Sequence, residues 1–274
     1  MRRAKDRGAP RDAARFTGWA QAFAAYRHAV DEGRLDRWLK QFTPDEDLAA
    51  RLLDCVDFIT YDQITSAFKC VLKGLNGWHR QKSKREGKWR FVAFSSHSGE
   101  SGDAMLHQFR VANGMATHHF DSLFISRSDL LREPLEAEDT VVFVDDFSGT
   151  GDQATKAWTE MFQELLPGEP KCYLVLVMAS ATAVKKICGE TGMVAVPHIT
   201  LGARDYLFST RCTQFDEAEK AKIFGYCERA DKKKPKGYGE CGFVVVFSHR
   251  CPNNTVPIFH AEHSKWHGLF RRSG

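Results

Sequence analysis

The sequence lacks any long apolar run, and no segment approaches the roughly 18 residues that a membrane-spanning helix needs. Its first residues are basic, but no apolar segment follows them to complete a secretory signal. The eight cysteines form no C-x-x-C pair, and several lie inside apolar segments, as buried thiols do in a reducing compartment. We therefore expect a cytoplasmic protein that does not enter the membrane.

An excess of charge of one sign is also missing from most of the chain. The net charge of +4 arises from residues 1–15, which hold six basic and two acidic residues, so the remainder sums to zero. This segment has no apolar period and predicts a flexible basic tail. A second basic segment, residues 79–90, holds six Lys or Arg residues against one Glu. A solvated loop is its default interpretation, and nucleic-acid contact through either segment is the alternative.

The most informative motif spans residues 141–153. Four apolar residues, three of them β-branched, predict a buried central strand over 141–147, with Asp145 and Asp146 at its carboxyl end. Parallel sheets bind ligands at the carboxyl ends of their strands, where these acids would lie. A loop of small residues, 148–151, then leads into a predicted helix over 151–164.

The loop has the chemistry of an anion site. Backbone N–H groups of residues 148–151 can point at an anion, and the dipole of the following helix favours negative charge there. Glycines at 149 and 151 permit positive φ and a close approach of the backbone, and the Thr150 hydroxyl is a further donor. Asp145 and Asp146 would repel phosphate and suit ribose hydroxyls or a metal. The motif thus predicts a phosphate site beside a sugar site.

The motif at 141–153 has three other interpretations. Residues 149–154 fit a loose G-x-G-x-x-A dinucleotide fingerprint, which requires an acid about 20 residues further on. The next predicted strand, 172–178, ends in Ala179 and Ser180 without one. A Walker loop is excluded because no Gly-Lys-Ser/Thr follows. A surface turn after an acidic strand end is the non-functional alternative, and it leaves the adjacent acids unexplained.

These residues resemble the phosphoribosyl diphosphate loop of the phosphoribosyltransferases, with Gln153 where that family usually has Thr or Ser. The resemblance implies that Asp145 and Asp146 are catalytic and hold the ribose hydroxyls. It also implies a 5′-phosphate loop formed by Phe147, Ser148, Gly149, Thr150 and Gly151.

A second loop of small residues, 96–102, follows the predicted first core strand, 89–95. In phosphoribosyltransferases the pyrophosphate loop occupies this place. The resemblance therefore assigns pyrophosphate binding to Ser98, Gly99, Glu100, Ser101 and Gly102. Further candidates for pyrophosphate contact are Arg110, Arg204 and Arg211. A flexible connector remains the alternative interpretation of the loop.

Alternating patterns predict an α/β fold with a mainly parallel sheet flanked by helices. The other predicted strands are 120–126, 194–201 and 242–248. The other predicted helices begin and end near 16–26, 35–42, 45–59, 61–72, 103–111, 181–190 and 214–229. Aromatic residues recurring at helical spacing in the first helices indicate core packing.

Besides residues 144–151, short motifs occur at Trp38-Leu39-x-x-Phe42, at Ser-Gly-Asp-Ala (101–104), at Pro-Asn-Asn-Thr (252–255) and at Trp-x-x-Leu-Phe-Arg (266–271). Together these motifs, over residues 35–272, are similar to a divergent phosphoribosyltransferase-like branch found in bacterial conflict and defence systems, some of them retron-associated. The resemblance implies a single type I phosphoribosyltransferase-like domain over residues 16–274. Its parts would be a helical subregion (16–88), an α/β core (89–250) and a C-terminal extension (251–274), preceded by the basic tail (1–15).

Two functions follow from the resemblance. In the first, the protein binds phosphoribosyl diphosphate and Mg²⁺, held mainly through ligand and water, and transfers phosphoribose to an unknown acceptor. Such a glycosyltransferase would act as an antiphage effector with a protein partner. In the alternative, the chain is a non-catalytic sensor of phosphoribosyl diphosphate or a nucleotide. No general acid or base is identifiable in the sequence, so both functions stay open.

Overall fold

The computed structural model describes residues 12–94 and 101–272. Its helices are α1 (Ala13–Phe23), α2 (Glu32–Lys40), α3 (Glu46–Asp54), α4 (Tyr61–Gly74), α5 (Ser101–Ala112), α6 (Arg127–Leu130), α7 (Asp152–Met161), α8 (Ala181–Thr191) and α9 (Glu217–Ala230). Its strands are β1 (Asp57–Ile59), β2 (Trp89–Ala93), β3 (Thr140–Ser148), β4 (Lys171–Ser180), β5 (Val194–Leu201), β6 (Val245–Phe247), β7 (Glu262–His263) and β8 (Trp266–His267). Within these described ranges, no helix combines the length and apolar character needed to cross a membrane.

The chain groups into two compact units. One comprises residues 62–202 and is called the sheet unit below. The other joins residues 1–61 to residues 203–274 and is called the two-segment unit. The single domain predicted over residues 16–274 stays a prediction.

A four-stranded parallel sheet, in the order β2-β3-β4-β5, forms the centre of the sheet unit. Helices cover both of its faces, since successive strand residues point in opposite directions. Phe91 packs on Phe109 of α5, whereas its neighbour Val92 joins a buried cluster with Trp158 of α7. Each such buried side chain contributes roughly 1.5–3 kcal/mol. The predicted α/β architecture with a parallel sheet is confirmed.

The predicted central strand is β3, which lies between β2 and β4. Val142 pairs with Phe91 on one side and with Tyr173 on the other. Residues 140–144 are buried throughout, as expected for a strand covered on both faces. Residues 141–144 are apolar without interruption because both faces of the strand are covered.

The two-segment unit has an aromatic core. Trp38 stacks on Phe259 with ring centroids 5.4 Å apart, and Phe42 meets Trp266 edge-on at 5.3 Å. The indole N–H groups of both tryptophans donate to the carbonyl oxygen of Ile258, at 2.8 and 3.0 Å. Because buried indoles need such partners, the arrangement satisfies both rings. The aromatic pattern of the first helices is core packing, as predicted.

One predicted strand, 120–126, is wrong. Residues 118–123 form a 3-10 helix, and only Phe124 makes a parallel bridge, to Phe91. Phe120 and Leu123 are the buried residues of that helix. Their spacing of three matches the 3-10 period, in which such side chains lie above one another.

Two further elements differ from their predicted extents. The third helix, predicted over 45–59, ends at Asp54, and residues 57–59 instead form β1. The strand predicted over 242–248 shortens to β6, residues 245–247. β1 and β6 pair in parallel, outside the four-stranded sheet. β-Branched and aromatic residues in β1 favour this pairing over a longer helix.

Candidate functional site

The predicted acid pair lies in β3, towards the carboxyl end of the strand. Asp145 is partly buried, whereas Asp146 has no exposed surface. The backbone N–H of Asp146 donates to Asp145 Oδ1 at 2.9 Å. Since neighbouring strand residues point to opposite faces, the two side chains lead away from each other. Of the two, Asp145 has the surface that a ligand can reach.

The loop after β3 ends at Gly151, which precedes α7 with φ at +83°. A Cβ atom there would lie 3.2 Å from the Ala183 carbonyl oxygen and 3.3 Å from Lys186 Cβ. Both the left-handed backbone and the close approach therefore require glycine. The Thr150 Oγ1 atom accepts from the N–H of Asp152 at 3.3 Å. The predicted positive φ is confirmed at Gly151, and the loop leads directly into a helix N-terminus.

Ser180 holds the loop in place and was not identified from the sequence as a site residue. It is fully buried at the end of β4, and its Oγ donates to the Gly149 carbonyl at 2.6 Å. The same oxygen accepts from the N–H of Ala183 at 2.9 Å and so caps α8. The available signal was a serine between an apolar strand and a helix, which is typical of an N-cap.

A second contact joins the same two helices. Lys186 of α8 forms an ion pair with Asp152 in the first turn of α7. Asp152 also lies where the helix dipole favours an acid. Because Lys186 is close to the loop, it adds a cation next to the predicted phosphate position.

The carboxyl end of β2 lies beside that of β3. Ala93 pairs with Val144, and the N–H of Phe94 donates to the Val144 carbonyl at 3.0 Å. Within the predicted pyrophosphate loop, residues 98–100 lie outside the described residues, while Ser101 and Gly102 begin α5. The chain thus enters this loop from the same sheet edge at which Asp145 lies.

Arg110 is occupied by contacts within the sheet unit. Its Nε donates to the Met115 carbonyl at 2.9 Å, its Nη2 pairs with Asp121, and its guanidinium lies over the Phe124 ring. These contacts engage the positive charge, an N–H donor and the planar face of the Arg110 guanidinium group. Arg204 and Arg211 belong to the two-segment unit.

Most cations of the basic segment 79–90 also have partners. Arg80 donates to two carbonyl groups and lies over Phe120, and Arg85 lies over Trp78. Arg90 pairs with Glu133. Lys82 and Lys84 form an exposed 3-10 turn. Nucleic-acid contact through residues 79–90 stays a prediction, and of segment 1–15 the structure describes only residues 12–15.

A cavity of about 540 Å³ lies at the opposite, amino-terminal end of the sheet. Its walls include Trp158, Tyr173 and Val194. Cys172 also contributes to the wall, and burial raises the pKa of its thiol to about 12. A thiol with that pKa is not reactive at neutral pH. The cavity is therefore separate from the acids and the loop.

The chain was compared with known proteins. Among curated protein sequences, none matches. A search of solved structures finds the crystal structure of orotate phosphoribosyltransferase from Aeropyrum pernix, at 12% identity and a TM-score of 0.29. That match covers 51% of this chain and 68% of the other. The model of the phosphoribosyltransferase-like family PRTase-CE matches residues 35–272. The chain therefore belongs to the PRTase-CE family.

Proposed function

We propose that the sheet unit binds phosphoribosyl diphosphate together with Mg²⁺ and transfers its phosphoribosyl group to an acceptor. One observation carries the proposal. Asp145 is partly exposed towards the carboxyl end of an interior parallel strand, and the loop that ends at Gly151 leads into the N-terminus of α7. Amide N–H groups at a helix N-terminus bind phosphate, and a carboxylate beside them accepts from sugar hydroxyls.

Hydrogen bonds within the chain that hold the loop support this proposal. Ser180 fixes the Gly149 carbonyl, and the N–H of Thr155 closes the first turn on the Gly151 carbonyl at 2.9 Å. The Thr150 oxygen accepts from the Asp152 N–H, so its hydroxyl hydrogen remains available to donate to a phosphate oxygen. Donors that are fixed in advance need little reorganisation when charge develops on the ligand.

The residues at this edge fit Mg²⁺ that is bound mainly through the ligand. Among the described residues, no group of three or more His, Cys, Asp or Glu side chains could hold a metal ion. Mg²⁺ commonly keeps several waters and binds through one or two carboxylates together with substrate phosphates. Asp145 supplies a carboxylate of this kind. When bound, the ion would offset the negative charge of the departing pyrophosphate.

The proposed transfer breaks the bond between ribose C1 and the pyrophosphate oxygen, and the electron pair leaves with pyrophosphate. A nucleophile of the acceptor forms the new bond to C1 from the opposite face. Positive charge grows on the sugar between these events, and in this proposal the Asp145 carboxylate offsets that charge. The protein's contribution is chiefly position and electrostatics.

Calorimetric titration of phosphoribosyl diphosphate, with and without Mg²⁺, tests the binding step. We expect saturable binding that requires Mg²⁺. Thr150→Val should weaken it about ten- to a hundredfold, because a charge-assisted hydrogen bond is lost. Thr159→Val, on the exposed face of α7, is the matched control and should bind normally. Absence of binding by the unaltered protein would refute the proposal.

Release of pyrophosphate separates the enzyme from its alternative. Saturable binding with no pyrophosphate released in the presence of nucleobases, nucleotides, protein or nucleic acid would favour the non-catalytic sensor. Release that depends on one acceptor class would identify that class.

We also infer a role in bacterial antiphage defence, which the similarity of the motifs over residues 35–272 supports. Phage should form fewer plaques on bacteria that express the unaltered chain than on bacteria that express Thr150→Val. Equal plating would remove the defence role and leave the binding proposal intact.

A further inference from the structure

The two-segment unit brings together arginines from three separate parts of the chain. Arg27 lies between α1 and α2, and its Nη2 donates to the Arg272 carbonyl at 2.8 Å. Its Nη1 donates to the His249 carbonyl at 3.4 Å. Arg34 of α2 donates to the Gly268 carbonyl at 3.3 Å. These bonds place the side chains of Arg27 and Arg34 against the last residues of the unit.

The acceptors of two of these arginines are neutral. Arg27 Nε donates to the His28 ring nitrogen Nε2 at 3.0 Å, and its other bonds go to carbonyl groups. The guanidinium of Arg34 likewise bonds to carbonyl groups, those of Ala29 and Gly268. Neutral acceptors satisfy hydrogen bonds but do not cancel charge.

Arginines elsewhere in the same unit are paired differently. Arg51 forms an ion pair with Glu219, and Arg15 forms one with Asp54 at 2.7 Å. The neutral acceptors of Arg27 and Arg34 therefore distinguish these two arginines from Arg15 and Arg51.

Carboxylates near the surface balance only part of its charge. Glu262 accepts from Arg271 Nε at 3.1 Å and also from His267. Asp31 accepts from the backbone N–H of Arg34, as the N-cap of α2. Among the described contacts, these two carboxylates accompany the guanidinium groups of Arg27, Arg34 and Arg271, and Arg27 also bonds to the backbone of Arg272. The four arginines are together called the arginine cluster.

The cations repel one another. Burial lowers the pKa of Arg34 and the charge of Arg271 lowers it further. Burial also lowers the pKa of Arg272, with a further contribution from Arg250. For His28, burial and then the charges of Arg27, Arg34 and Arg271 lower the pKa. Cations that lie close together despite such repulsion are typical of sites that bind a ligand through these charges.

We propose that the arginine cluster binds a ligand that carries two or more phosphate groups. Guanidinium groups present fixed, forked donors that match phosphate oxygens in pairs, and several of them together favour a multiply charged anion. This chemistry is shared by a nucleic-acid backbone and by free polyphosphate compounds. The arginine cluster belongs to the two-segment unit and the proposed phosphate loop to the sheet unit, so this proposal does not depend on phosphoribosyl transfer.

An aromatic surface beside the cluster favours single-stranded nucleic acid as the source. The Tyr61 side chain is 48% exposed, and its ring centroid is 6.2 Å from that of His249. The His249 carbonyl is also an acceptor of Arg27. Cationic grooves with neighbouring aromatic rings bind single strands through backbone charge and base stacking.

The test measures binding of a labelled short single-stranded oligonucleotide to the full chain by fluorescence anisotropy over a series of salt concentrations. The double variant Arg27→Gln/Arg272→Gln should bind about ten- to a hundredfold more weakly at low salt. The slope of log affinity against log salt should fall by about 1.4, for two lost phosphate contacts on a single strand.

Lys232→Gln/Lys233→Gln is the matched control, because it removes the same charge from exposed positions of the same unit. It should leave the affinity nearly unchanged. Equal weakening by the control and the cluster variant would overturn the proposal, since charge alone would then explain binding. Absence of binding by the unaltered protein at low salt, to the oligonucleotide and to tripolyphosphate, would also overturn it.

Two further measurements keep the result interpretable. Arg27→Lys/Arg272→Lys retains both positive charges but loses the forked N–H donors of the guanidinium groups. Weaker binding by this variant, with an unchanged melting temperature, supports recognition by the guanidinium groups. Competition with tripolyphosphate distinguishes the two sources. Displacement at similar concentrations assigns the site to free polyphosphates, and weak displacement assigns it to the nucleic-acid backbone.

Discussion

Each unit gathers charges of one sign, but the two do so by different means. In the sheet unit, Asp145 and Asp146 are consecutive residues of one strand, and the register of β3 fixes their position. In the two-segment unit, Arg27 and Arg272 are 245 residues apart in sequence and meet through a side-chain bond to a backbone carbonyl. A strand thus confines like charges through its own backbone, whereas the arginine cluster depends on tertiary contacts throughout.

The largest expected effect concerns His260, which adjoins the arginine cluster. Burial, and then the charge of Arg272, lowers the pKa of His260 from 6.5 to about 4. The unfolded chain therefore binds more protons than the folded chain between these values. The stabilisation is complete above pH 6.5 and is lost as the pH falls to about 4, by about 3 kcal/mol.

Urea unfolding between pH 7 and pH 4 would measure this loss, with His260→Gln as the comparison. The variant should lose about 3 kcal/mol less free energy of unfolding than the unaltered chain over this range. A parallel decline of the two proteins would assign the acid sensitivity to other groups.

The next effect distinguishes Asp145 from Asp146, which the sequence alone predicts to have the same role. Asp145→Asn should weaken binding of phosphoribosyl diphosphate about ten- to a hundredfold. Its melting temperature should be unchanged or slightly higher, since one of two like charges on consecutive residues is removed. Asp146→Asn should instead lower the free energy of unfolding by about 1–3 kcal/mol, because Asp146 is fully buried. Calorimetry and thermal melts would measure both.

Glu160→Gln provides the control for charge removal, since it is exposed on α7. It should change neither quantity. If Asp145→Asn unfolds the protein, the exposed acid is structural and the comparison between the two acids fails.

A smaller effect is expected at Gly151. Gly151→Ala forces a side chain into a left-handed backbone and towards the Ala183 carbonyl, and should cost about 1–2 kcal/mol. Gly189→Ala in α8 is the matched substitution, because a Cβ there meets nothing within 4 Å. It should stabilise the protein by about 0.5–1 kcal/mol, as expected for an exposed helix. Urea unfolding of both variants measures the two changes in the free energy of unfolding. A change of the same sign in both variants would contradict the prediction.

The smallest effect links the arginine cluster to its neighbour. Arg272→Gln should raise the pKa of His260, because a repelling cation is removed. The rise should stay below about one unit, since burial is the larger cause and water screens exposed charges. NMR titration of the His260 ring would measure it. A lowered pKa would show that Arg272 does not act on this ring as a repelling charge.

Much of the sheet unit was predictable because its information is local. Residues 141–144 are apolar without interruption, as a strand covered on both faces must be, and they lie in β3. The segment at 120–126 was mistaken for a strand because a short apolar run does not distinguish a strand from a 3-10 helix. Residues 57–59 were assigned to a helix because their partner, β6, lies almost 190 residues away.

The sequence by itself determined the strand, the acids and the glycine-bearing loop, because these are neighbours whose order specifies a strand end and a helix start. Only the tertiary structure decided that Asp145 is partly exposed while Asp146 is buried. It also decided that Ser180 anchors Gly149, and that Arg27 lies against the last residues of the chain. Such contacts join positions that no local pattern relates, because burial and long-range hydrogen bonds depend on which distant segments pack together.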